Sequence, residues 1–176
     1  ADVRRAKGVG RQRTERADEV FSHMAELGDC VFVGSRRAIF RVDVANPRRH
    51  NNVLTEIATP AGISCMYAMD DVVRVHLENG KCMEIDAQGA YRMISPPQQR
   101  GVVTAGCYDS ETGITMLGRK DGICEILNRY GRNVTYVSCH GARVSSVAVV
   151  DTIGIICSYD HGVQICNMPM FKMDSG

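Results

Sequence analysis

Residues 144–168 read VSSVAVVDTIGIICSYDHGVQICNM, and this stretch decides the fold. Val144–Val150 is apolar and rich in β-branched side chains, which suit a pleated, half-buried surface. Asp151-Thr152 marks a turn, and Ile153–Ser158 repeats the apolar character. Asp160-His161-Gly162 then supplies a tight hairpin, and Val163–Asn167 runs back. The pattern predicts three short strands in succession.

Working outward, the same outline recurs upstream. Gly34-Ser35-Arg36-Arg37, Glu78-Asn79-Gly80 and Lys120-Asp121-Gly122 line up with the last hairpin. Each is followed by a short strand ending in Asp or Asn: Asp43, Asp86, Asn128 and Asn167, which lie 43, 42 and 39 positions apart. Second strands are expected at Cys30–Val33, Val72–Leu77, Ile114–Leu117 and Ile155–Cys157. First strands are expected at Ile63–Ala68, Val102–Cys107 and Val144–Val150, with residues 19–25 a fourth. Residues 17–28 also fit a helix, because Val20, Met24 and Leu27 follow helical spacing. Outer strands fall at Val53–Ala58, Ala90–Ile94 and Asn133–Ser138, while Phe171-Lys172-Met173 is too short for another.

A period of about 40–45 residues is that of four-stranded propeller blades. With the Asp-x-Gly hairpins and closing Asp or Asn, the repeats resemble those of the WD-repeat β-propeller family. The Trp-Asp pair that names the family is absent, since the chain has no Trp; Leu127 and Cys166 occupy its place. The Gly-His pair is missing too, with only Cys139-His140-Gly141 nearby, so Asp121 and Asp160 are what survives of the family's hydrogen-bonded tetrad. The resemblance implies an all-β fold, a β-propeller or partial propeller of about four blades with short antiparallel strands. The expected organisation is an arm over 1–16 and four units within 17–176, at about 19–58, 61–98, 102–138 and 143–173. An all-β sandwich with evenly spaced turns shares these signals.

Hydrophobic residues make up 44% and charged residues 23% of 176, ordinary for a globular protein. No apolar run suggests a membrane-spanning helix or a signal peptide. The net charge of +1 hides an uneven distribution. Arg4, Arg5, Lys7, Arg11, Arg13 and Arg16 stand against only Asp2 and Glu15, so a basic arm precedes a mildly acidic body. Of eight cysteines, several sit inside apolar runs (Cys30, Cys65, Cys107, Cys157), where a thiol acts as a small hydrophobe. A reducing compartment is expected, in cytoplasm or nucleus. There the glycosylation-like Asn133-Val134-Thr135 has no consequence.

Cys157, His161 and Cys166, with Cys139-His140 close by, are the one cluster of soft ligands. Their spacing lacks the paired C-x2-C of zinc sites, and core thiols beside a turn His explain them. No G-x-S-x-G, H-E-x-x-H or cysteine-protease signature is present. Gly8-Val9-Gly10 has no strand before it and no helix after it, so it is no phosphate loop. No catalytic residue, metal or cofactor is expected.

The resemblance therefore implies a non-catalytic protein–protein interaction scaffold within a multiprotein complex. Its partner-binding face is expected where hairpins and inter-blade connections open on one end: Arg36, Arg37, Asn79, Arg119, Lys120 and His161 from the hairpins, Pro60, Pro97, Arg100 and Arg143 from the connections. The other reading is a structural ribonucleoprotein subunit whose arm lies along RNA phosphates. That arm lacks aromatics for base stacking. Four units also predict an uncovered flank on a terminal blade, exposing Ile153–Cys157 and Val163–Ile165. A partner chain or further blades of a longer parent are expected to cover it in preference to a second copy.

Overall fold

The computed structural model describes residues 20–45, 53–95, 101–138 and 141–168. The described chain is all β, arranged as four antiparallel sheets whose strands follow chain order. Sheet 1 comprises β1 (His23–Leu27), β2 (Cys30–Gly34), β3 (Ala38–Asp43) and β4 (Val53–Ala58). Sheet 2 comprises β5 (Ile63–Met69), β6 (Val72–Leu77), β7 (Cys82–Asp86) and β8 (Tyr91–Ile94). Sheet 3 comprises β9 (Val103–Asp109), β10 (Ile114–Arg119), β11 (Ile123–Leu127) and β12 (Asn133–Ser138). Sheet 4 has three described strands, β13 (Val144–Val150), β14 (Ile153–Ser158) and β15 (Val163–Asn167).

The chain divides into two compact units, residues 1–95 and 96–176, each holding two sheets and its own core. In the first unit β1 lies against β5 and β6. Pairing of Ala25 with Phe32 puts both on one face, with Ile39 and Ile57 on neighbouring strands, and this face meets Met66, Val75 and Met83 of sheet 2. In the second unit β13 lies against β9 and β10, and Met116 and Ile126 meet Val147 and Ile156. Gly118 permits this approach: a Cβ there would lie 2.3 Å from Cγ1 of Val144.

The recurring Asp or Asn has a physical reason. Oδ1 of Asp86 accepts the backbone N–H of Gln88 and of Ala90, each at 2.9 Å. Oδ1 of Asn128 accepts those of Tyr130 and Arg132, each at 3.0 Å. Asp43 does the same for Ala45 at 3.0 Å. In sheets 2 and 3 an Asx side chain thereby fixes the turn from third to fourth strand. The hairpins carry the same chemistry: Asn79, Asp121 and Asp160 accept the N–H two residues on, from Lys81, Ile123 and Gly162. Asp121 and Asp160 are thus turn-closing residues here.

A different polar tie links each pair of sheets. Nε2 of His23 lies 3.2 Å from the carbonyl of Ile63, which can only accept, so Nε2 carries the proton. The Thr104 hydroxyl donates to the carbonyl of Val144 at 2.6 Å. Each bond joins the start of one sheet's first strand to the start of the next sheet's.

The first strand corrects the sequence reading. It is a strand, not a helix, and begins at His23 where 19–25 was expected. Val20 and Met24, which suggested helical spacing, are exposed, and Ala25 is the buried residue.

Candidate interaction surface at the hairpin tips

Hydrogen bonds bring each hairpin beside a connection. Thr59 donates to the carbonyl of Arg37 at 2.9 Å, and Glu78 to that of Gly62 at 2.8 Å. In the second unit Lys120 donates to Val102 at 3.0 Å, and Tyr159 to Arg143 at 3.1 Å. Within each unit, then, hairpin tips and inter-sheet connections lie side by side, joined by backbone hydrogen bonds.

The residues expected on this end divide by environment. In the first unit Arg36, Arg37 and Asn79 are exposed at hairpin tips. In the second, Lys120, Arg143 and His161 are exposed, and the Arg143 guanidinium stands 5.6 Å from the centroid of the Tyr159 ring. That distance is within cation–π range. His161 holds a positive φ of 65°, the conformation its hairpin position demands. Arg100 and the arm residues Arg4, Arg5, Lys7, Arg11, Arg13 and Arg16 lie outside the described residues.

Arg119 does not belong on the surface. It closes β10 and is buried, with both its side chain and that of Glu125 4% exposed. Its Nη2 donates to the Glu125 carboxylate, and Nη1 to the carbonyl of Gly101 at 3.0 Å. Asn133 completes the site by donating to the same carboxylate at 3.1 Å. The signal was present in the sequence: a Glu inside the apolar run ICEIL needs a cation to be buried with it. Sheet 2 repeats the solution, where Glu84 accepts from Arg92 at 2.6 and 2.8 Å and from Arg74. Burial alone would raise the Glu84 carboxyl, but its two arginines outweigh it and hold the group below the usual range.

The thiols and the buried ring pair are quiet chemistry. Burial pushes Cys82 up to about 12 and Cys107 up to about 11, and raises Cys166, so each stays protonated at neutral pH. Cys157 and Cys166 point to opposite faces of sheet 4, because Cys157 pairs with Val163 and Cys166 with Gly154. Among the described residues no group of three or more His, Cys, Asp or Glu could hold a metal ion. The Tyr67 hydroxyl lies 3.5 Å from Nε2 of His76, their rings stacked at 5.8 Å. Burial raises the Tyr67 phenol far above its ordinary range, against the opposing pull of Arg74.

Four sheets of this topology, repeated in chain order, define a four-bladed β-propeller fold. Compared with family models and curated sequences, the chain matches none. Solved structures are similar to it in fold. The computationally designed Ika4 protein is 14% identical, with a TM-score of 0.69 over 96% of this chain and 100% of that one. The computationally designed Ika8 protein is 15% identical, with a TM-score of 0.66 over 85% of this chain and 46% of that one. The β-propeller domain of Cps50 (Swd1) from Myceliophteria thermophila is 11% identical, with a TM-score of 0.64 over 85% of this chain. The chain spans 52% of that domain's length, so it corresponds to about half of the two larger structures.

Proposed function

We propose that this chain is a non-catalytic protein-interaction scaffold, a degenerate WD-repeat-like propeller that holds protein partners on its hairpin-tip ends within a larger assembly. The observation that carries this reading is the set of exposed cations, Arg36 and Arg37 in one unit and Lys120 and Arg143 in the other. All sit on hairpins or connections that are tied to one another by backbone hydrogen bonds within each unit. Charge presented on a pre-ordered backbone binds without first paying the entropy of ordering a loop. The partner surface it suits is acidic. The seven free cysteines among the described residues support work in a reducing, intracellular compartment.

The test is charge reversal at Arg36, Arg37, Lys120 and Arg143 to Glu, with Arg119 left intact because its change would damage the fold. Partners captured by the wild-type chain are expected to be lost, with an unchanged melting point. An identical set of captured partners would remove this face from consideration.

A second reading rests on six cations within residues 1–16. In it the protein is a ribonucleoprotein subunit whose arm neutralises RNA phosphates. Deleting residues 1–16 is then expected to flatten the dependence of RNA affinity on salt, by about 0.7 in log–log slope per lost contact to a single strand.

A further inference from the structure

Sheet 4 has two faces, and strand register separates them. Val147, Ile156 and Cys166 turn into the core of the second unit. Val150, Ile153, Ile155, Val163 and Ile165 turn the other way, and no charged residue shares their face. Val163 is 65% and Ile165 68% exposed. Sheet 1 shows the converse. Ala25 and Phe32 enter the core of the first unit, while Met24, Val33 and Phe40 form a row on the opposite face. Met24 is 73% exposed, and Phe21 stands edge-on to Phe40 at 5.6 Å.

Position along the repeat shows what these two faces are. Leu77, Arg119 and Ser158 are equivalent, since each carbonyl accepts the hairpin N–H three residues on; Ser35 corresponds to them in sheet 1, bonding Ala38 across its own hairpin. Three residues before them stand Phe32 in sheet 1 and Met116 in sheet 3, the core residues with which an earlier sheet covers the next. Ile155 holds that place in sheet 4. Two residues before them stand Val75 in sheet 2 and Ile156 in sheet 4, core residues with which a later sheet receives the earlier one. Val33 holds that place in sheet 1. The exposed flank of sheet 4 is therefore the giving half of the contact that builds each unit, and the exposed flank of sheet 1 is the receiving half.

We infer that two copies of this chain pair head to tail, the Ile155–Ile165 flank of sheet 4 in each copy covering the Met24–Val33–Phe40 flank of sheet 1 in the other. Such a pair has two identical contacts related by a twofold axis. Each flank, with strands ~4.8 Å apart and five residues at ~3.4 Å, covers roughly 300 Å². Four flanks bury on the order of 1,200 Å², which reaches the range of stable interfaces. The doubled assembly also fits the lengths of the larger similar structures, of which one chain accounts for 46% and 52%. The sequence reading disfavoured a second copy because the first and last units differ too much for obvious self-complementarity. This inference is independent of the hairpin-tip proposal.

Sedimentation velocity and native mass spectrometry of the protein over a range of concentrations are expected to show twice the 19.3 kDa chain mass. Val163→Asp with Ile165→Asp, and separately Met24→Asp, are expected to weaken self-association roughly thirtyfold or more, as loss of a hot spot does. These positions are exposed, so circular dichroism and melting of the monomer should stay as in wild type. Mixing the two variants restores one unaltered contact, so mixed pairs are expected to outnumber pairs of either variant alone. A monomer at every concentration, a dimer indifferent to both sets of changes, no preference for mixed pairs, or assembly only with a different chain would each overturn the inference.

Discussion

Replacing Arg119 by Met tests the buried pair that Arg119 forms with Glu125. Arg119 and Glu125 are each 4% exposed, and the change leaves the Glu125 carboxylate buried with Asn133 as its remaining donor. Stranding one member of a buried pair costs about 3–5 kcal/mol. At ~2–4 °C per kcal/mol for a chain of this size, the melting point should fall by roughly 6–20 °C. The pair itself is not optimal, since Nε of Arg119 lacks a hydrogen-bond partner. Replacing both members, Arg119→Met with Glu125→Leu, should therefore recover most of the loss and show coupling of about 0.5–3 kcal/mol in a double-mutant cycle. Lys120→Met, one residue further along and exposed, is the control and should cost no more than about 0.5 kcal/mol. Urea denaturation of wild type, Arg119→Met, Glu125→Leu, the double variant and Lys120→Met reads these values directly. If Arg119→Met is no costlier than Lys120→Met, Arg119 is a surface residue and the reasoning fails.

Other expectations follow from the same geometry. Asp86→Ala removes two hydrogen bonds and should cost about 1–2 kcal/mol in urea denaturation, whereas Asp86→Asn keeps the acceptor and should be nearly neutral. The Glu84 carboxyl is held below its ordinary range in the folded chain, so its contribution is full above the unfolded-state value and is lost as pH falls through the lower folded value. Glu84→Gln should accordingly flatten the acid limb of a stability–pH curve, and an unchanged limb would refute the pairing. With Cys82 near 12 and Cys107 near 11, neither thiol should react with iodoacetamide at pH 7.5 until the chain unfolds. Burst labelling of either in the native protein would contradict their burial.

Much of the fold was legible because its punctuation is chemical. Strands Val53–Ala58, Val72–Leu77, Asn133–Ser138, Val144–Val150 and Val163–Asn167 begin and end where the sequence reading placed them. Each is bounded by Gly, Asn or Asp in a turn, or is a run of β-branched residues. The first strand was not legible, because HMAEL has no β-branched residue and its exposed Met mimics a helical stripe. Arg119 was misjudged for a related reason: local pattern assigns it to a hairpin, while its burial is decided by Glu125 on the neighbouring strand. Spacing also grouped Cys157 with Cys166, which the alternation of β14 and β15 sends to opposite faces. The uncovered flank on Ile153–Cys157 and Val163–Ile165 was foreseen, whereas the row of Met24, Val33 and Phe40 on sheet 1 followed only once the register was known.

The sequential order of strands in every sheet has a consequence for synthesis. The core of the first unit draws on residues from Ala25 to Ile85 alone. A ribosome adding ~5–20 residues per second makes that span in roughly 3–12 s, while a β-hairpin forms in about 1–10 μs. Sheets 1 and 2 can thus dry their shared core before sheet 4 has been translated. A lesion at Phe32 or Val75 would meet the cell's chaperones as soon as the first unit has emerged, whereas one at Met116 or Ile156 would surface only after the second unit has been translated.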